Sequence, residues 1–129
     1  MGGEAEIVTK SSRDSVSALT EKLVALAEAR GLKVFCVIDQ RAAAEEAGLS
    51  LRPTTLVLLG SPATGTPLMD AAPMLALDLP LKVLIWGEDD GTRVSYLSPS
   101  ALETRYDVPP DLRGRFDGLH ALTDALAEP

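Results

Sequence analysis

Few residues in this chain have the types and spacing to do chemistry. Gly60-Ser61-Pro62-Ala63-Thr64-Gly65-Thr66 has the glycine spacing of a phosphate-binding loop and lies between a strand-like run and a helix start, as that motif requires. Thr66 stands where the lysine of such a loop belongs, and Pro67 stands where its magnesium-binding hydroxyl belongs. The charge that reaches the terminal phosphates and the metal ligand are therefore both missing, which argues against nucleotide hydrolysis. What remains is a helix N-terminus flanked by Ser61, Thr64 and Thr66, a place for an anion or the polar group of a ligand. The plainer alternative is a loop shaped by its own turn geometry.

Asp39 ends a strand-like run, and Asp78 precedes Leu79-Pro80-Leu81-Lys82. Each has a structural use, Asp39 as the cap of the next helix and Asp78 as a turn cap or the partner of Lys82. Two carboxylates of unknown separation do not define an acid/base pair. Lys82 alternates within an apolar strand, so its ammonium must reach water, a partner or a pocket. His120 is the only histidine and Cys36 the only cysteine. So few soft ligands argue against a transition-metal site, and no metal or cofactor is expected. Glu88-Asp89-Asp90 reads as an acidic turn in solvent. Met69 and Met74, beside Pro67 and Pro73, suit either packing or the lining of an adaptable apolar pocket.

A length of 129 residues accommodates one domain with one core. Apolar residues make up 46% and charged residues 24%, a globular balance, and the scarcity of aromatics leaves Leu, Val and Ala to fill the core. The formal charge of -7 argues against a nucleic-acid partner, which needs a basic face. A lone cysteine forbids an internal disulfide. No basic start followed by an apolar run marks a secretory signal. The longest apolar run, Met74 to Trp86, is broken by Asp78, Pro80 and Lys82, so no membrane span is expected, and the expectation is a cytoplasmic protein.

The elements that must position these residues follow from periodicity and caps. Glu4 to Thr9 alternates as a first strand. Ser11 and Ser12 offer the N-cap of a helix whose Val16, Leu19, Leu23, Leu26 and Ala27 form one stripe, with Gly31 as its left-handed stop. Lys33 to Ile38 is a β-branched strand, Asp39 caps a short helix from Gln40 to Ala47, and Gly48 ends it. Thr54 to Leu59 is a continuous apolar run, expected to be central or covered on both faces. Gly60 to Gly65 reads as a loop, and Thr66-Pro67 as a helix start. Pro73 breaks that helix and sets up a second short turn through Met74 to Leu77. Leu81 to Trp86 is a strand with Leu81, Val83 and Ile85 on one face, and Asp90-Gly91 turns it into an antiparallel return over Thr92 to Leu97. Ser98-Pro99 opens a short helix to Arg105, and Leu112, Phe116, Leu119, Leu122 and Leu126 form the stripe of a last helix. The order predicts an α+β domain, a mostly antiparallel sheet of about five strands with two long helices on one face.

Several blocks taken together resemble the domain-of-unknown-function 302 family. They are Asp39 after Val34-Phe35-Cys36-Val37-Ile38, Leu51-Arg52-Pro53-Thr54-Thr55-Leu56, Gly65-Thr66-Pro67-Leu68-Met69, Ala71-Ala72-Pro73, and Leu77-Asp78-Leu79-Pro80-Leu81-Lys82-Val83-Leu84. The resemblance covers nearly the whole chain. It implies a two-layer domain of the TBP-like type, a curved antiparallel sheet with helices on one side, that forms homodimers. It brings no established activity. Two positions depart from the family pattern. Asp39-Gln40 stands where similar proteins have Asp-His, and Gly60-Ser61-Pro62-Ala63 stands where they have Gly-Asn-Pro-Lys. A chemistry that used that histidine and lysine would be lost here, which favours binding or structure over catalysis.

The leading functional expectation is a homodimeric module that binds a small, partly apolar or anionic ligand at the Thr64 to Asp78 segment. Leu68, Met69 and Trp86 would supply apolar contact and Thr64, Thr66 and Lys82 polar contact, with Asp39 and Asp78 completing the set. A second reading makes Pro53 to Trp86 an interface for a partner protein. A third is an enzyme of unknown reaction that uses Asp39 or Asp78.

Overall fold

The computed structural model describes residues 6–127, so Glu4 and Ala5 of the expected first strand lie outside the described residues. The chain runs β1 (Ile7–Ser12), α1 (Val16–Ala29), β2 (Lys33–Asp39), α2 (Gln40–Glu46), β3 (Thr54–Gly60) and α3 (Pro62–Ala71). A 3-10 turn (Pro73–Asp78) leads to β4 (Leu81–Glu88), β5 (Gly91–Leu97), α4 (Pro99–Arg105), a second 3-10 turn (Pro110–Leu112) and α5 (Gly118–Asp124). The strands pair in the order β1-β5-β4-β3-β2, and all the pairings are antiparallel. This is the α+β architecture that the order of elements predicts.

Local chemistry sets most boundaries. Ser15 caps α1, its hydroxyl accepting from Ala18 N at 3.0 Å. Ser11 and Ser12 do not, because they are held in β1 opposite Arg93 and Thr92. Gly31, at φ 77°, lets Leu32 N reach back to Ala27 O at 2.9 Å and stops the helix. Asp39 opens α2 by accepting from Ala42 N at 2.9 Å, and Ser98 opens α4 by accepting from Ala101 N at 3.1 Å.

Alternation along the strands divides the sheet into two faces. Val57 and Leu59 of β3, Val83 and Ile85 of β4, and Val94 and Tyr96 of β5 are buried with Val16, Leu19, Leu23 and Ala27 of α1 and Leu119 and Leu122 of α5. Leu56, Leu58, Leu84 and Trp86 project from the other face, stay half-buried and belong to neither core. Strand β3 is thus interior to the sheet, as expected, but only one of its faces is sealed.

Two further expectations are corrected. The helix expected to start at Thr66 starts at Pro62, with Ser61 as its cap, and Pro67 lies inside it. Both Ser61-Pro62 and Thr66-Pro67 are cap-and-proline pairs. The earlier one prevails because a helix begun there turns Gly65 and Leu68 inward, and both are buried. The last helix is one of seven residues, Gly118–Asp124, not a long one from Leu112. Gly114 takes φ 88° and its N–H bonds the buried Glu103 carboxylate at 2.7 Å, which breaks the helical path. The apolar stripe is consequently shared between two cores. Leu119, Leu122 and Leu126 join the main one, while Phe116 joins a second with Leu68, Leu75, Leu102 and Val108.

Candidate functional site

The seam between the two cores is where a cleft forms. Leu81 packs against both cores. The β2–β3 register shifts between Val34 and Cys36, a bulge at Phe35. The Phe35 ring, 45% exposed, passes 3.9 Å from the position a Cβ on Gly60 would take. Here α3 starts, and its buried Gly65 leaves a floor on which a Cβ would meet Met69 Cε and Leu79 Cδ1, each at 3.8 Å.

Two cavities open at this seam. One, of about 310 Å³, is lined by Phe35, Gly65, Thr66, Met69, Leu79 and Pro80. The other, of about 240 Å³, is lined by Arg30, Leu32, Leu59, Thr64, Arg115 and Leu122. Both are also lined by Gly60, Ser61, Leu81 and Phe116, so they are two arms of one cleft. Its walls are mostly apolar, in the size range of small-molecule sites. The hydroxyl of Ser61 accepts from Thr64 N at 3.2 Å and its carbonyl from Gly65 N at 2.8 Å. The free helix N-terminus expected near Thr66 is therefore replaced by a capped one at Pro62, whose first turn is already engaged.

Thr64, Thr66 and Met69 are thus brought together on the cleft, while the other residues proposed from sequence fall elsewhere. Leu68, on the other side of α3, is fully buried in the second core. Asp39 caps α2 and borders a separate hollow of about 450 Å³ with Ser15, Arg41 and Thr55. Trp86 lies on the sheet face away from α1 and donates from Nε1 to Ser95 Oγ at 3.0 Å.

Asp78 and Lys82 border the same hollow of about 60 Å³, with Leu97 and Leu102, but the ion pair of Asp78 is with Arg105 and not with Lys82. Asp78 accepts from the Tyr106 hydroxyl and from Arg105 Nη1, the latter at 3.0 Å. Tyr106 above all holds the Asp78 carboxyl below the usual carboxylate range; burial opposes this, and the Arg105 guanidinium and the Lys82 charge add to it. A carboxylate so stabilised is a weak proton acceptor at neutral pH.

Sequence reasoning missed Phe35, Arg30, Arg115 and Phe116. Phe35 and Phe116 are the only phenylalanines in the chain, a signal that was available. The bulge that places Phe35 and the turn that places Arg115 depend on long-range pairing. It also missed a clasp between β1 and α5. Lys10 Nζ donates to Thr123 Oγ1 at 2.7 Å and His120 O at 3.0 Å, and pairs with Asp124 at 2.6 Å. The Tyr96 hydroxyl lies 2.6 Å from His120 Nδ1. Burial lowers the Lys10 pKa, but the contacts with Asp124 and Tyr96 outweigh it and raise the net value. Among the described residues no group of His, Cys, Asp and Glu is placed to hold a metal ion, and no helix is long and apolar enough to cross a membrane.

Comparison with known proteins gives a fold and a family. The fluoride-specific ion channel FluC 1 of Brucella suis biovar 1 (strain 1330) is 42% identical over 85 residues, which are 66% of this chain and 34% of that one. FluC 1 of Brucella abortus biovar 1 (strain 9-941) is 42% identical over 85 residues, 66% of this chain and 32% of that one. The chain thus spans about a third of the length of these relatives. The crystal structure of an uncharacterized conserved protein DUF302 from Bacillus stearothermophilus aligns with a TM-score of 0.80 over 95% of this chain and 96% of that one, at 16% identity, a likeness of fold. Residues 8–126 match DUF302, a domain of unknown function, and the chain belongs to that family.

Proposed function

We propose that this domain is a binding module for a small, largely apolar ligand held in the cleft between β3, α3 and Phe116. The observation that carries the reading is the two-armed apolar cleft at the seam of the cores, with Thr64, Thr66 and Met69 on its walls. Neither Asp39 nor Asp78 lines it, so the ligand is bound with no carboxylate in reach as a general base. Lys82 and Trp86 contribute nothing to this ligand. The test is titration of an apolar fluorescent probe, 1-N-phenylnaphthylamine, into the wild type, Gly65→Leu and Lys82→Ala. Gly65→Leu fills the larger arm and is expected to weaken binding at least about tenfold, while Lys82→Ala leaves it unchanged. Equal binding by wild type and Gly65→Leu, with both folded by circular dichroism, would sink the reading.

The homodimer is a second proposal, favoured by a different observation. Leu56, Leu58, Leu84 and Trp86 form an apolar patch on the sheet face that neither core covers, and the indole N–H is already satisfied by Ser95. A second copy of the chain packed on this face would seal it. Leu84→Glu should then shift the mass seen by light scattering from dimer to monomer, and a wild type that is monomeric at high concentration refutes the dimer. The activity named for the Brucella relatives belongs to chains of which the match covers about a third, and ion conduction is not carried over to this one.

A further inference from the structure

Resting on that reading of the cleft, we propose that its ligand is a single-chain amphiphile with a carboxylate head, the class of medium-chain fatty acids. Charge points to this class. The chain carries 19 acidic residues against 12 Lys and Arg, yet no carboxylate lines either arm of the cleft, whereas Arg30 and Arg115 line the smaller one. A third cation, Lys33, holds its Nζ 4.9 Å from the centroid of the Phe35 ring that walls the larger arm. Arg30, Lys33 and Arg115 form no ion pair among the described residues, so their charge at the cleft is not neutralised by a carboxylate. In so acidic a chain, an apolar cleft edged by three cations and no carboxylate complements an anion with an apolar tail.

The two parts of such a ligand have separate places. Phe35, Met69, Leu79 and Phe116 offer the tail an apolar wall. The guanidinium forks of Arg30 and Arg115 suit the two oxygens of a carboxylate. A phosphate head, with more charge and more acceptors, needs further donors, and the N–H groups of Thr64 and Gly65 at the start of α3 are already bonded to Ser61.

Isothermal titration with hexanoate, octanoate, decanoate, decanol and decyl phosphate tests this, on the wild type, on Arg30→Gln/Arg115→Gln, and on Gly65→Leu with Met69→Trp as a second block of the larger arm. Affinity should rise about two- to fourfold per added methylene. Decanoate should bind at least about fivefold tighter than decanol, and the double arginine variant should lose that preference while still binding decanol. If decanol binds as well as decanoate, or the arginine variant keeps the preference, the carboxylate head is wrong although the cleft stands. Decyl phosphate binding tighter than decanoate overturns the head-group assignment in the same way. If no alkyl ligand binds, or neither blocking variant weakens decanol, the cleft reading falls together with the inference.

Discussion

Leu68 and Met69 are neighbours on α3 with different work, and substituting each alone separates stability from binding. Leu68 is fully buried in the second core, whereas Met69 is half-buried on the cleft wall. Leu68→Ala removes a buried isobutyl group and leaves a void, a change that costs roughly 2.7–5 kcal/mol depending on how far the site collapses. The open cleft beside α3 gives the wall room to settle, which places the cost near the lower end, at about 3 kcal/mol. Little else holds the helix, since it contains Gly65 and Pro67, both poor helix formers. Against a total stability of about 6–19 kcal/mol for a chain of this length, the loss is large and should lower Tm by roughly 10 °C. Met69→Ala loses only partial burial, about 1 kcal/mol, but widens the larger arm and weakens the probe. Urea unfolding followed by circular dichroism, with an unchanged m-value, measures both. A Leu68→Ala cost below about 1 kcal/mol, or a larger cost for Met69→Ala, would mean that α3 presents its other side to the core and that the cleft wall is wrongly placed.

Two further predictions concern the polar clusters. Lys10→Met breaks the clasp between β1 and α5, and the lost bonds to His120 O and Thr123 Oγ1 should cost about 1–2 kcal/mol. Because the Lys10 pKa is raised above 10.5 in the fold, this contribution is fully present below that value and disappears as pH rises through the folded pKa. Urea midpoints of wild type and variant should converge in strong alkali and stay apart at pH 7. For Asp78 the sign is opposite, since its pKa is depressed below 3.8 by Tyr106 and Arg105. Its contribution is present above pH 3.8 and is lost as pH falls through the folded value. The gap in urea midpoint between wild type and Asp78→Asn should therefore close in strong acid, and a gap that is the same at pH 7 and pH 2 would refute the pairing.

Much of the fold is legible in short stretches because short-range physics decides it. Asp39 as a cap, Gly31 as a stop, Ser98-Pro99 as a start and the alternation through Val83 and Ile85 each depend on a few adjacent residues. What could not be read depends on residues far apart in sequence. Ser61-Pro62 and Thr66-Pro67 are equivalent as local signals, and only the burial of Leu68 in the second core selects the first. Phe116 and Leu119 share a helical spacing yet serve different cores, because Glu103 captures Gly114 N from outside the segment. The candidate site follows the same division. Thr64, Thr66 and Met69 sit close together in sequence and could be named. Arg30, Phe35 and Arg115 come from distant parts of the chain, joined by a strand bulge and a turn that no local pattern announces.

The position of the cleft also ties binding to folding. Leu81 packs against both cores and, with Phe116, lines both arms, so a bound tail would touch the residues that join the two halves of the interior. A ligand at 100 times its Kd adds about 2.7 kcal/mol to the folded state, close to the loss expected from Leu68→Ala. Saturating decanoate should therefore restore most of the Tm of Leu68→Ala, provided that α3 keeps its place in the weakened protein. It should restore none of the Tm lost in Lys10→Met when Gly65→Leu blocks the cleft in the same chain. Rescue of that double variant would locate the binding site somewhere other than the seam.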